Sequence, residues 1–167
     1  SRGLGDVYKR QDCGCGGGAN IKTLLKLCPK GKVQGIDYSA VSVEKARKVN
    51  AGAIAEGRCN VQQASVAELP FEAEQFDVVT AFETVYFWPE LAQNFREVYR
   101  VLKPGGTFFI CNEANGETAK DDKWTQIING MTIYTDIALK AYLEQAGFCQ
   151  IQSHKNKKGW LCITAQK

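Results

Sequence analysis

No stretch of this sequence approaches the roughly 18 consecutive apolar residues that a membrane-crossing helix needs, and no charged-then-apolar leader opens the chain. The pattern predicts no membrane span and no secretory leader, and hence a cytoplasmic protein. Histidine is nearly missing, His154 being the only one, and none of the seven cysteines forms a C-x-x-C pair. These absences argue against a zinc ribbon or a disulfide framework. Cys13, Cys15, Cys28, Cys59, Cys111, Cys149 and Cys162 are expected mostly as small core residues in a reducing compartment. No internal repeat or low-complexity linker divides the 167 residues, which predicts one domain around one core.

What is present has the balance of an ordinary globular protein, 44% hydrophobic and 23% charged. Short apolar runs alternate with helical stretches, and Gly, Pro or Asp marks each joint, which is the rhythm of repeated β-α-β units. A strand is expected to end near Asp12, followed by a helix over Ala19–Cys28 with Ile21, Leu24, Leu25 and Leu27 on or near one face. Lys32–Asp37 reads as a second strand. A helix follows over Val41–Ala55, capped by Ser39. Further strands are expected over Asn60–Ala64, Phe76–Phe82 and Thr107–Glu113, with an amphipathic helix over Glu90–Leu102 that ends at Lys103-Pro104-Gly105-Gly106. The irregular stretch Ala114–Tyr134 is read as a lid. Thr135–Ala146 reads as a helix stopped by Gly147, and Phe148–His154 with Trp160–Ala165 as a closing hairpin. The fold class this predicts is α/β: a three-layer sandwich whose mostly parallel, twisted sheet ends in an antiparallel carboxy-terminal hairpin.

The segment Asp12-Cys13-Gly14-Cys15-Gly16-Gly17-Gly18-Ala19 falls between a strand and a helix, where glycines let the backbone turn tightly and approach a ligand. The spacing Gly14-x-Gly16-x-x-Ala19 also fits a dinucleotide site, with Asp37 near the distance expected of a ribose-binding carboxylate. An NAD-dependent oxidoreductase is therefore one reading. Asp12 weighs against it, because a carboxylate at the strand end would repel a pyrophosphate. The same carboxylate would attract S-adenosylmethionine, which carries an ammonium and a sulfonium and no phosphate. Asp37 can accept hydrogen bonds from ribose hydroxyls in either case.

Asp12–Gly18 resembles the D-x-G-x-G-x-G cofactor motif of the class I, seven-strand S-adenosylmethionine-dependent methyltransferases. Gly35-Ile36-Asp37-Tyr38-Ser39, Glu68-Leu69-Pro70-Phe71, Gln75-Phe76-Asp77-Val78-Val79 and Val101-Leu102-Lys103-Pro104-Gly105-Gly106-Thr107 follow in register. Together they resemble the small-molecule branch that includes ubiquinone and menaquinone biosynthesis methyltransferases. The resemblance implies a Rossmann-like fold and S-adenosylmethionine as cofactor. It places Asp12, Gly14, Gly16 and Gly18 along the methionine part, Asp37 at the ribose, Tyr38 beside the adenine, and Phe82 at the end of the strand over the cleft. Where many relatives have an acidic residue at the adenine, this sequence has Ser65, so backbone groups of Ser65 and Val66 are expected to take over that recognition.

The segment Phe82-Glu83-Thr84-Val85-Tyr86-Phe87-Trp88 is where relatives line the cleft beside the transferred methyl group. Glu83 is the candidate for orienting an acceptor or taking its proton, with Tyr86 beside it. The competing readings are that the aromatics are core and that Glu83 caps the next helix; for Phe87 and Trp88 packing is expected. The partner implied is a small apolar or aromatic metabolite, which Tyr86, Trp88, Trp124 and Met131 are available to surround; no metal is expected, and no oligomeric state follows. His154 is read as a solvated residue in the strand beside a charged turn made by Lys155, Lys157 and Lys158.

Residues 5–11, Gly-Asp-Val-Tyr-Lys-Arg-Gln, resemble a translated sequencing-adapter string. Residues 1–11 are accordingly expected to be a non-native leader, and 12–167 a methyltransferase domain truncated at its amino terminus. Without Arg2, Asp6, Lys9 and Arg10 the net charge of +3 falls to +1, which leaves no case for a nucleic-acid partner. Truncation also keeps open a third reading, a remnant that binds cofactor without turnover.

Overall fold

The computed structural model describes residues 8–167; residues 1–7 of the expected leader lie outside the described residues. The described residues form one seven-stranded sheet in the order β3-β2-β1-β4-β5-β7-β6. Its strands are β1 (Lys9–Cys13), β2 (Lys32–Asp37), β3 (Cys59–Gln63), β4 (Phe76–Phe82), β5 (Leu102–Asn112), β6 (Cys149–Lys155) and β7 (Leu161–Gln166). The first five run parallel, and β7 is antiparallel to both β5 and β6. The expected α/β sandwich with its closing hairpin is what forms. Between β1 and β4 the chain reverses its direction of travel across the sheet, and such a switch point leaves a crevice at the carboxyl ends of the strands.

Helices α1 (Ala19–Leu27), α2 (Ala40–Val49) and α3 (Ala51–Ala55) attend the first half of the sheet, and α4 (Leu91–Val101), α5 (Ala119–Ile127) and α6 (Asp136–Gln145) the second. Side chains alternate in direction along a strand, so the core divides in two. On one face Ile21, Leu24 and Leu25 of α1 meet Val33, Val43, Ala46 and Val61. On the other, Phe95 of α4 and Leu139 and Leu143 of α6 meet Val79, Phe108, Ile110 and Ile163. Phe95 and Phe108 are fully buried, with ring centroids 5.5 Å apart in an edge-on pair. Burying each such ring contributes about 1.5–3 kcal/mol, which makes the α4–β5 contact a main support of the crevice.

Three local expectations are corrected. The helix expected over Val41–Ala55 breaks at Asn50, whose buried amide donates to the carbonyls of Gly18 and Ala46, both at 3.0 Å. Holding these two acceptors sets its backbone at φ −110°, ψ 20°, off the helical path. Lys103–Gly106 is not a free turn but lies inside β5, in the irregular register between the pairs Phe76↔Leu102 and Val78↔Thr107. Leu27, expected near the apolar face of α1, is exposed. Ser39 and Thr135 cap as helix-start chemistry requires, accepting from the amides of Ser42 and Ala138 at 3.3 and 3.2 Å.

β1 contains Lys9, Arg10 and Gln11 of the expected leader. Gln11 lies in register with Gln34 of β2 and Val79 of β4 and is fully buried. Its amide nitrogen reaches only the Cys13 sulfur at 3.3 Å, and its side-chain oxygen has no partner. A buried amide oxygen without a hydrogen bond is destabilising. Gln11→Leu is therefore expected to raise stability by about 1–2 kcal/mol, read as a rise of about 2–8 °C in the thermal midpoint. An unchanged or lower midpoint would show that the amide is satisfied in solution.

Candidate active site

The switch point is lined from the loop after β1, the ends of β2 and β3, and the loop after β4. Its cavity of about 340 Å³ is bounded by Gly14, Ile36, Asp37, Tyr38, Ala64, Ser65, Val66, Thr84, Phe87, Trp88 and Pro89. Of the candidate residues, Gly14, Asp37, Tyr38, Ser65 and Val66 are brought together here. Asp37 ties the cavity's polar edge: one carboxylate oxygen accepts from the Gly16 amide and the other from the Ser39 amide, each at 2.9 Å. Carboxylate oxygens carry further lone pairs, so the group is oriented by backbone and still able to accept from a ligand. The Ser65 hydroxyl accepts from the Ala67 amide at 3.1 Å.

The glycines differ in what requires them. Gly16 adopts φ +50°, and a Cβ there would meet nothing within 4 Å, so this backbone borders open space. A Cβ on Gly14 would lie 2.1 Å from the Thr84 hydroxyl, which identifies Gly14 as the place where the β1 and β4 loops touch. Gly18, at φ +85°, abuts Ala46 and Asn50 of the α2 end, so its small size serves helix packing.

Asp12, near the end of β1, is 1% exposed and lies outside the cavity wall. One of its oxygens accepts from the Thr80 hydroxyl at 2.8 Å, and the other is buried with no partner. Burial, opposed by the Thr80 hydrogen bond and reinforced by the charge of Asp37, pushes its pKa up from 3.8 to about 7. An orphaned buried carboxylate oxygen fits a ligand that brings a cation and conflicts with one that brings phosphate. The residues present therefore fit S-adenosylmethionine: Asp12 would favour its positive charge, Asp37 could accept from a ribose, and the apolar walls of Ile36, Ala64 and Val66 could receive a base.

A second cavity of about 720 Å³ adjoins the β4 loop from the lid side, with Glu83, Tyr86, Glu113, Ala114, Trp124, Ile128, Met131 and Trp160 in its wall. Glu83 adopts φ +55°, a left-handed conformation uncommon for a residue with a side chain. It is held there by a network: the Tyr86 hydroxyl donates to its carboxylate at 3.2 Å, the Glu113 amide donates to the same oxygen, and the Ala114 amide donates to the Tyr86 hydroxyl at 2.9 Å. Partial desolvation lifts the Glu83 carboxyl above its usual range, against the pull of the Glu113 amide. Burial also raises Tyr86. Glu83 caps no helix; the helix-capping alternative for it does not hold. The Thr132 amide donates to the Tyr86 carbonyl at 2.8 Å, which fastens the end of the lid segment to this corner.

Residues 83–88 thus form a partition, with Thr84 and Phe87 facing the first cavity and Glu83 and Tyr86 the second. Trp88 both lines the first cavity and packs on Phe95 and Phe108, so the packing expectation holds for it. Phe87 departs from that expectation: it is 45% exposed. Phe82 stands behind the partition, edge-on to Phe109 at 5.7 Å, in neither cavity wall. Thr84, whose indole partner is Trp88 Nε1 at 3.3 Å, was not singled out by sequence, because its importance comes from touching Gly14 across the sheet. His154 is exposed on β6, as expected for a solvated residue in a strand beside the lysine turn, and no cluster of three or more metal-ligating side chains occurs among the described residues. No helix among them is long and apolar enough to cross a membrane.

Comparison with known proteins agrees with this geometry. A family model described as "Methyltransferase domain" matches residues 11–110. The chain is 28% identical over 148 residues to 24-methylenesterol C-methyltransferase 3 of Arabidopsis thaliana, covering 82% of the chain and 40% of that protein. It is 34% identical over 105 residues to the demethylmenaquinone methyltransferase of Symbiobacterium thermophilum, covering 62% of the chain and 41% of that protein. The chain therefore spans about two fifths of the length of these curated relatives. Among solved structures, a SAM dependent methyltransferase from Aquifex aeolicus superposes with a TM-score of 0.81 at 21% identity, over 98% of this chain and 84% of that one. With the family match running from the motif strand β1 through most of β5, the chain belongs to the methyltransferase domain family.

Proposed function

We propose that this protein transfers the methyl group of S-adenosylmethionine to a small-molecule acceptor, with the residue 83–88 loop bordering both the donor cavity and the acceptor cavity. The observation that carries the proposal is the alternation of that loop: Thr84 and Phe87 wall a cavity closed by Asp37, while Glu83 and Tyr86 wall a larger one lined by Trp124, Met131 and Trp160. The cofactor supplies a methyl group already made electrophilic by its sulfonium, so the protein's work is to align the acceptor and exclude water. Asp12 and Asp37 bind, the backbone of Ser65 and Val66 receives the base, and the sulfonium's neighbourhood is aromatic. Glu83, held by Tyr86 and the Glu113 amide, positions the acceptor and accepts its proton at the carboxylate. The mixture of indole rings, Met131, three carboxylates and two lysines in the second cavity suits an apolar or aromatic metabolite that carries polar groups, and no nucleic acid. The relatives named for sterol and menaquinone methylation support an acceptor of that kind. Four of the seven cysteines are buried as small core residues, which suits a reducing cytoplasm, and residues 1–11 are read as a non-native leader.

The test is calorimetric titration with S-adenosylhomocysteine and, separately, with NADH, followed by release of S-adenosylhomocysteine from labelled S-adenosylmethionine over a metabolite pool. Saturable binding of the first ligand and none of the second is expected. Saturable NADH binding would overturn the cofactor assignment, and cofactor binding without release on any acceptor would favour the remnant reading.

A further inference from the structure

Beyond the two cavities, the arrangement of the carboxy-terminal strands points to a modification site. Cys111 of β5 and Cys162 of β7 are direct partners in the antiparallel register, and their sulfurs lie 3.3 Å apart. Directly opposed residues of antiparallel strands have Cα atoms about 4.5 or 5.5 Å apart; both spacings fall inside the range of about 4.4–6.8 Å that a disulfide spans. Both thiols are half-buried. Cys13, Cys15, Cys28 and Cys59 are buried, and Cys149 stands exposed. Only at Cys111 and Cys162 do two sulfurs face each other within reach of solvent. We propose that Cys111 and Cys162 form a reversible cross-strand disulfide by exchange with a small-molecule disulfide.

The exchange balances as follows. The Cys162 thiolate attacks one sulfur of the small disulfide, forming a mixed disulfide and expelling one small thiolate. Cys111 loses its proton to solvent and attacks the Cys162 sulfur, expelling the second. The protein is oxidised by two electrons, the small disulfide is reduced to two thiols, and the protein's two protons are taken up by them through solvent. Burial and the neighbouring Cys162 push the Cys111 thiol up to about 12, so the second step is the slow one and speeds up with rising pH. The bond would fix β5 to β7 immediately before Asn112 and Glu113. The Glu113 amide is a donor to Glu83, so the bond stiffens one wall of the second cavity, whichever reaction that cavity serves.

The full chain, reduced and then incubated with oxidised glutathione, is blocked with N-ethylmaleimide and digested for peptide mass spectrometry without reduction. The expected result is a peptide pair joined through Cys111 and Cys162, with the loss of two hydrogen atoms, growing faster at pH 8.5 than at pH 7 (both assay conditions) and removed by dithiothreitol. Cys111→Ser and Cys162→Ser, each made separately, are expected to abolish the joined pair, and Cys149→Ser to leave it. Recovery of both Cys111 and Cys162 as maleimide adducts, in a sample where Cys149 has become glutathionylated, would overturn the proposal. So would a joined pair involving other cysteines in place of these two. Neither result depends on cofactor binding, so failure here and failure of the methyl-transfer reading are separable.

Discussion

Asp37→Ala is expected to weaken S-adenosylhomocysteine binding by about a hundredfold or more, since hydrogen bonds to a charged group contribute about 1.5–3 kcal/mol each and two are expected to the ribose. The loss has a second source. Both Asp37 oxygens already hold backbone amides, those of Gly16 and Ser39, so the substitution releases the glycine loop that borders the ligand as well as removing the acceptor. Asp37→Asn separates the two contributions. It keeps one acceptor oxygen, able to hold one of the two backbone N–H groups, while its NH2 can accept from neither, so binding is expected to fall between wild type and alanine. Isothermal calorimetry reads both, with the thermal midpoint of the unliganded proteins as a check on folding. Unchanged affinity in Asp37→Ala would remove the nucleoside from this end of the sheet.

The second large effect is expected at Asp12, where the direction of the pH dependence is a test of charge. Burial raises its pKa from 3.8 to about 7, so in the unliganded protein the carboxyl is largely protonated below neutrality. A cationic ligand binds the ionised form. Affinity for S-adenosylhomocysteine, which keeps the ammonium, should therefore rise by up to about tenfold per pH unit below pH 7 and level off above it. Binding at pH 6 should release a proton, visible as a dependence of the calorimetric heat on buffer. Asp12→Asn should abolish that dependence and weaken binding at pH 8 by about 30-fold to several hundredfold, the loss of a charge-assisted contact in a buried site. Stability runs the other way. A folded pKa above the unfolded value means that Asp12's contribution is fully present below about pH 4 and is lost as pH rises to about 7. At pH 8 the unliganded Asp12→Asn protein should consequently be more stable than wild type while binding less ligand. A variant that lost both would indicate a structural role, and affinity falling with rising pH would contradict a cationic ligand.

Much of this frame was legible before any coordinates. β2 and β4 begin and end where expected because Gly, Asp and the charged turn residues around them are punctuation that acts over a few bonds. The binding edge was legible for a similar reason: Asp12, Gly14, Gly16 and Asp37 stand at spacings that a strand-turn-helix unit converts into one cluster. What escaped prediction is long-range. Asn50 looks like any helical residue until its side chain meets the Gly18 carbonyl 32 positions away. Lys103-Pro104-Gly105-Gly106 has the composition of a turn, yet the backbone of β4 draws its flanks into one strand. Leu27 is as apolar as its buried neighbours and lies exposed, because only the packed sheet determines which arc of a helix is covered. The cysteines divide in the same way. Four are buried as their size and hydrophobicity suggest, whereas the pairing of Cys111 with Cys162 depends on the register of β5 against β7, and spacing along the chain carries no information about that register.

The α/β class, the order of elements and the glycine-rich edge proposed to hold the nucleoside follow from local sequence, since propensity, capping and glycine conformation are properties of a few neighbouring residues. The partition between the cavities, the orphaned oxygen of Asp12, the left-handed Glu83 and the facing thiols arise only in the folded chain. Each depends on contacts between segments far apart in sequence, and on desolvation that no isolated segment experiences.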